Sequence, residues 1–311
     1  MKDDLNNIRY RCFILKWLLL WVIFSGWAFA QNHQELPLTH LTYGYYGDAF
    51  VGLDPKDVQV SMQILLDGIT EYYHNLVKVK GFVFDTKEGV LQAIRSKKVD
   101  LAAINALDYL DWGKKLYLDP LAVGLRNGHA GYAYVLLVRR EDQVKHLKDL
   151  LQNRIIIQDV MLQKSIPLLW FKTELLKQAT REKEIHMKNF TVDMKPARAI
   201  LPVFFKKVRA CIVTNETYET MLELNPQIGK QLKILKKSPV FLDGIMCLVR
   251  KMDSRQREFV LDNLSSLQKF PKGEQIINIY KVDHVVRYKP QFMNALLHLI
   301  RTYNELSKKY R

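Results

Sequence analysis

A chain of 311 residues with 48% hydrophobic composition exceeds what one core usually serves, so it predicts two domains and excludes a disordered polypeptide. Its formal charge of +15 is scattered along the sequence and not gathered in a tail, which predicts an electropositive surface and anionic company. Nucleic acid, the usual partner of such a charge, is argued against by the N-terminus.

Residues 1–30 carry Lys2, Arg9, Arg11 and Lys16, then the run "WLLLWVIFSGW", then "AFA" before Gln31. A basic start, an apolar stretch of about ten residues and a small-x-small end describe a secretory signal peptide, with Ala28 and Ala30 at the cleavage positions. The run falls short of the ~20 residues a membrane span needs. The mature protein is therefore expected from Gln31 onward, in the periplasm and away from the genome.

"LTHLTYGYYG" reads as a strand that breaks at Gly44 and Gly47. The helix that follows takes Asp54 as N-cap and Pro55 as its first residue, with an apolar stripe through Val58, Met62, Leu65, Leu66 and Ile69. "KVKGFVFD" is a strand, "TKEGVLQAIRSK" a helix and "VDLAAIN" a strand. This β-α-β-α-β order predicts a parallel sheet covered by helices, the first of two lobes. "GYAYVLLVRRED" reads as a crossover strand, followed by a short helix, the strand "RIIIQD" and a helix over about 164–178. The pattern repeats through "MKNFTVD", "KPARAILPVFF" and "VRACIVT", making the second lobe. Strands "QLKILKKSPVF" and "GIMCLVR" follow, then helices at about 253–268 and 290–309. The domain expectation is residues 31–135 for lobe 1, with 253–311 packing back on it, and 136–252 for lobe 2.

Two stretches, "KKVDLAAINALDY" at 97–109 and "KKVRACIVTNETY" at 206–218, share a layout: two lysines and a valine, an apolar run, an asparagine and a final tyrosine. Each places polar residues just past a buried parallel strand, where open α/β sheets bind ligands. Asn105 and Tyr109 from one lobe, and Thr214 and Asn215 from the other, are therefore expected across a cleft, since amides, hydroxyls and tyrosine rings suit a small polar ligand. Asn and Thr in such places also cap the next helix, and the tyrosines also serve as partly buried packing. Cys211 and Cys247 each sit in an apolar strand-like run, and either a disulfide or two buried thiols fits them. No nucleophile elbow, glycine-rich phosphate loop or His-x-x-x-His is present, which argues against an enzyme, and no cofactor or metal is expected.

The signal, the two lobes and the stretches "VLQAIRSKKVDLAAINALDYL", "DPLAVGLRNGHAGYAYVLLVRRED" and "PVFFKKVRACIVTNETYETMLELNPQIGKQLKILKKSPVF" resemble the phosphate/phosphite/phosphonate solute-binding family, periplasmic type 2 binding proteins of ABC importers. The resemblance implies a Venus-flytrap α/β fold with mixed, mostly parallel sheets and two crossover strands. It implies a small anionic solute as ligand, held by amides and hydroxyls at helix N-termini. It also implies a monomer that docks on a membrane permease, or in a second reading on a membrane sensor. Tyr45, Tyr46, Tyr109 and Tyr132 join the expected site, Tyr109 and Tyr132 at tyrosine positions of the family.

The family's Ser-Thr-Ser-Gly-like stretch is replaced here by "VMLQKSIP", which keeps Ser165 and adds Lys164. Its Ser-His pair corresponds to Lys195 and Pro196, with Arg198 nearby. The first twin stretch keeps the family's acidic residue as Asp100, whereas the second has Arg209. Lys164, Lys195 and Arg198 fit either of two readings: they supply charge-assisted hydrogen bonds in place of neutral donors, or they are solvated surface residues.

Overall fold

The computed structural model describes residues 36–46, 55–72, 77–84, 86–159, 162, 165–269, 271–279 and 281–311. Residues 1–30, Gly47, Asp54 and Lys164, on which the signal, the first strand break, a helix cap and a site position were expected, lie outside them. All elements below belong to one unit, His40–Arg311.

The first half contains β1 (His40–Tyr46), α1 (Pro55–Tyr72), β2 (Lys78–Phe84), α2 (Lys87–Arg95), β3 (Leu101–Asn105), α3 (Ala106–Trp112) and β4 (Asp119–Leu125). The second half contains β5 (Tyr132–Arg139), β6 (Ile155–Ile157), α4 (Ile166–Lys177), β7 (Phe190–Val192), α5 (Pro196–Phe204), β8 (Ala210–Thr214), α6 (Asn215–Leu224), α7 (Gln227–Gln231) and β9 (Leu232–Phe241). The chain then adds β10 (Gly244–Leu248), α8 (Ser254–Ser265), α9 (Pro271–Ile279), β11 (His284–Arg287) and α10 (Asn294–Lys309).

Two sheets result, ordered β11-β4-β10-β3-β1-β2 and β7-β6-β8-β5-β9. Both are mixed: β1 pairs in parallel with β2 and β3, and β6 with β7 and β8, while the pairs made by β10, β11, β5 and β9 are antiparallel. The sheets are thus parallel at one edge and antiparallel at the other, not mostly parallel. Each strand that returns from the other half runs against its new neighbours.

Local sequence explains most elements. In α1 the spacing of Val58, Met62, Leu65 and Leu66 puts all four on one buried face, against Tyr45, Ile276 and Ile277. Thr86 caps α2 by accepting from the Gly89 amide at 3.1 Å. In β5, Val135 to Val138 are wholly buried on both faces, as expected of an internal strand. The edge strand β2 is sealed by α1: Gln59 Nε2 donates to the Gly81 carbonyl (2.8 Å), and its Oε1 accepts from the Val83 amide (2.7 Å). A glutamine side chain there stands in for a neighbouring strand.

The passages between sheets are short. Residues 126–131 join β4 to β5, and 242–243 join β9 to β10. β5 lies wholly within the second sheet, so the crossing is made ahead of it. The two passages touch. Gly131, at φ +117°, stands so close to Phe241 that a Cβ added there would meet the Phe241 carbonyl oxygen at 1.9 Å. Arg126 of one passage pairs with Asp243 of the other at 3.3 Å.

At the C-terminus α8 packs on β4 and β11, and α9 on α1, but α10 lies against α4 beside the second sheet. Tyr303 donates to Glu182 (2.6 Å), Lys172 donates to Tyr303 (2.6 Å), and Ser307 also reaches Glu182. Residues 294–309 therefore depart from the expected return to lobe 1, because these polar contacts and the buried Leu296 and Leu299 draw the helix to α4. Cys211 and Cys247 are buried free thiols in different sheets, and burial pushes both thiol pKa values up.

Candidate functional site

The twin stretches fold into equivalent strand–cap–helix units. Asn105 ends β3 and caps α3, its Oδ1 accepting from the Asp108 amide at 2.8 Å. Thr214 ends β8 and caps α6, its hydroxyl accepting from the Thr217 amide at 3.1 Å. Both ends face the passages between sheets. Asn105 is in register with Gly244, the Ala106 amide donates to the Asp243 carbonyl (2.8 Å), and Thr214 is in register with Tyr134. Capping occupies Asn105 and Thr214 together with the Asp108 and Thr217 amides, and the Ala106 amide is taken by Asp243.

The other expected residues divide. Tyr132 begins β5 opposite Phe241, with the Arg126 guanidinium 4.4 Å from its ring centroid. Tyr109 is half-buried on α3 and packs toward Cys247 and Tyr288; burial raises its hydroxyl pKa. Ser165 is buried and caps α4 through the Leu168 amide (3.3 Å). Asn215 donates to Glu219 at 2.6 Å. Tyr45 is not beside the passages: it is fully buried among Val58, Met62 and Leu66, edge-on to Tyr43 at 4.2 Å. The two-residue period of β1 puts Tyr43 and Tyr45 on the same side of the sheet, facing α1. Tyr46 closes β1 opposite Phe84, and its side chain lies outside the described residues. Arg198 has 67% of its side chain exposed and reaches Asp193 at 3.8 Å, so its charge is spent at the surface. Lys195 precedes α5 without a side-chain cap.

Arg209, the departure in the second twin, pairs with Asp142 at 3.6 Å, just past the end of β5. Asp100, its counterpart, accepts from the Thr42 amide and hydroxyl (both 2.8 Å) and pairs with Arg250, just past the end of β10. The two halves thus carry the same ion pair with its polarity reversed, at the opposite end of β3 and β8 from Asn105 and Thr214.

Residues that the sequence reading missed gather around the two passages. Glu216 lies in the first turn of α6, Asp159 follows β6, and Asp243 lies between β9 and β10. Burial, first, and then the charges of Asp159, Asp243, Tyr132 and Glu216 raise the Tyr134 hydroxyl pKa well above its ordinary value. Tyr132 is pushed up to about 12, mainly by burial, with Asp243 and Glu216 adding to the rise and Arg126 opposing it. The signal available in the sequence was position: Glu216 sits beside Asn215, and Asp243 separates two strands.

Two mixed α/β sheets joined by two short passages, with strand–cap–helix units facing those passages, define the class of type 2 periplasmic binding proteins. The chain belongs to the family of phosphonate ABC-transporter periplasmic substrate-binding proteins, whose model matches residues 52–291. Among solved structures it is similar to a binding protein component of an ABC phosphonate transporter from Pseudomonas aeruginosa, at 14% identity over 88% of this chain and 89% of that one, TM-score 0.62. It is also similar to a Xanthomonas citri protein bound to ATP (12% identity, 88% and 99% covered, TM-score 0.59). A third is a Prochlorococcus marinus protein in complex with methylphosphonate (15%, 86% and 99%, TM-score 0.57). At these identities the likeness is one of fold. No curated protein matches the sequence. Among the described residues no helix is long and apolar enough to cross a membrane.

Proposed function

We propose that this protein captures a small anionic solute of the phosphonate, phosphite or phosphate kind between its two sheets and delivers it, in the periplasm, to the permease of an ABC importer. The single observation that carries this reading is the pair of helix N-termini, α3 and α6, set at the carboxyl ends of β3 and β8 on either side of the passages. Backbone amides at a helix start carry partial positive charge and need no particular side chain, so an anion site can survive loss of the family's Ser-Thr-Ser-Gly-like stretch. Asn105 and Tyr109 would contact the ligand from the side of the first sheet, and Tyr132, Ser165, Thr214 and Asn215 from the side of the second.

Closure follows from such a placement. A ligand that touches both sheets binds the closed state better than the open one and shifts the population toward it, and the permease reads the closed form. The test is thermal denaturation of the purified protein with a panel of phosphorus oxyanions and phosphonates, beside neutral sugars and amino acids. A saturable rise in Tm with a phosphorus oxyanion or phosphonate is expected. A rise with sugars or neutral amino acids alone contradicts the anion assignment.

A further inference from the structure

The sheet ends at the starts of β3 and β8 are charged differently. At the second sheet the cations are answered: Arg139 and Arg209 share Asp142 (2.7 and 3.6 Å), and Lys206 meets Glu141 (2.8 Å). In the first sheet β1 to β4 run in one direction, because β1 is parallel to β2 and β3, and β10 is antiparallel to both β3 and β4. Their starts therefore share one end with the last turn of α2 and with the turn that leads from α3 into β4. That end gathers Lys78 and Lys80 on β2, and Arg95, Lys97 and Lys98 at the end of α2, all exposed. Lys114 and Lys115, also exposed, come from the turn before β4. The carboxylates nearby are already engaged, Glu71 by Lys272, Asp100 by Arg250 and Asp119 by Arg257. None of the gathered cations has a carboxylate partner among the described residues.

Two further observations set this end apart from ordinary solvated charge. Lys80 and Lys98, from different elements, both stand over the Phe82 ring, with their ammonium nitrogens 5.2 and 4.9 Å from its centroid. The two charges are therefore no more than about 10 Å apart, roughly a Debye length in ordinary salt, so their repulsion is only partly screened and a facing anionic surface relieves it. Partial negative charge at the end of α2 favours Lys97 and Lys98, but Lys78 and Lys80 stand on a strand. Tyr117, just beyond Lys115, is 90% exposed at a φ of +52°, and no hydrogen bond among the described residues holds its ring there.

The charges are spread over three segments and do not converge on a point, which fits a broad anionic surface and not a single small ion. An exposed tyrosine among lysines suits the headgroup level of a bilayer, where an amphipathic ring and basic side chains both find partners. The chain also enters β1 at this end, so the apolar run at 17–27 leads into it. The family is periplasmic, which sets phospholipid and not a genome beside the protein. We propose that this end of the first sheet is a membrane-association surface, whose lysines meet the phosphates of anionic phospholipids while Tyr117 enters the headgroup layer. It is separate from the cleft and does not depend on what the cleft binds.

The experiment is co-sedimentation of the purified protein with two kinds of vesicle, phosphatidylcholine alone and an equal mixture of phosphatidylcholine and phosphatidylglycerol. Binding to the mixed vesicles that weakens with added salt, and none to the neutral ones, is expected. Each basic residue near an anionic bilayer is worth about fivefold in affinity, so Lys97→Gln, Lys98→Gln, Lys114→Gln and Lys115→Gln combined should weaken binding tenfold or more. A control variant removes the same charge at exposed Lys145, Lys148, Lys183 and Lys188 of the second half, and should weaken binding by about threefold or less. Circular dichroism and Tm show that both variants fold, and the wild-type comparison of vesicles stands without them. Equal binding to both vesicles, binding to neither, or equal losses in the two variants overturns the proposal. Competition by inorganic phosphate beyond that of sodium chloride at equal ionic strength, the mark of a small-anion site, also overturns it, as does binding to a single-stranded oligonucleotide without binding to vesicles. The Tm panel of solutes should read the same in the quadruple variant, so failure here leaves the reading of the cleft intact.

Discussion

Arg209 stands 3.6 Å from the Asp142 carboxylate, and Asp142 in turn holds the buried Arg139, whose Nη2 lies 2.7 Å from it. Arg139 also donates to the carbonyls of Val203 (2.9 Å) and Val208 (3.2 Å), which ties the end of β5 to the turn before β8. The two arginines on this carboxylate differ in worth. Arg209 has 38% of its side chain exposed, so Arg209→Ala should cost less than about 1 kcal/mol. Asp142→Ala leaves Arg139 buried and short of its partner, and should cost about 3 kcal/mol or more. Urea denaturation of the two variants checks the order; equal costs would refute this division.

The meeting of the two passages yields a second expectation. Gly131→Ala drives a methyl into the Phe241 carbonyl at a φ of +117°, and should cost about 3 kcal/mol or more, with a fall in Tm. Gly128, at φ +76°, has nothing within 4 Å of an added Cβ, and Gly128→Ala should cost only about 1 kcal/mol. Thermal melts of the pair separate the close approach from backbone conformation alone.

Gln59 offers a third. Gln59→Ala removes both hydrogen bonds to β2 and opens its edge, for about 1–2 kcal/mol. Amide exchange read by mass spectrometry should quicken at Val83 and leave β5 unchanged. An unaltered Val83 would mean that Gln59 does not seal the edge.

The buried tyrosines set a pH dependence. A hydroxyl whose folded pKa is raised favours the folded state fully below pH 10, and that contribution is lost as pH rises toward the folded value. Tyr132, at about 12, therefore loses about 2–3 kcal/mol of stabilisation between pH 10 and 12. Urea midpoints should fall steeply over that window, and less steeply in Tyr132→Phe. Identical slopes in the two proteins would count against a raised Tyr132.

Much of this was legible in the sequence because it is local. A buried apolar run ending in Asn or Thr before a helical stripe specifies a strand and its cap, and Asn105 and Thr214 fulfil that role. Tyr45 was misplaced because period-two alternation groups it with Tyr43 without saying which face meets α1. The partners of Arg209 and Asp100 lie 67 and 150 residues away along the chain, beyond what local pattern carries. The element α9 was unread because its helical signal is short, and β11 because four residues give little periodicity. Asp159, Glu216 and Asp243 come from three separate segments, and only the fold brings their charges to Tyr132 and Tyr134.

The central claim is that one small ligand is held by both sheets at once. Titration calorimetry with methylphosphonate, on the wild type and on Tyr109→Ala and Asn215→Ala, tests it most directly, since these two residues would contact the ligand from opposite halves of the chain. One-to-one, saturable binding, weakened tenfold or more by each substitution, is the predicted result. Binding that ignores either substitution, or no binding by any phosphonate or phosphorus oxyanion, would contradict it.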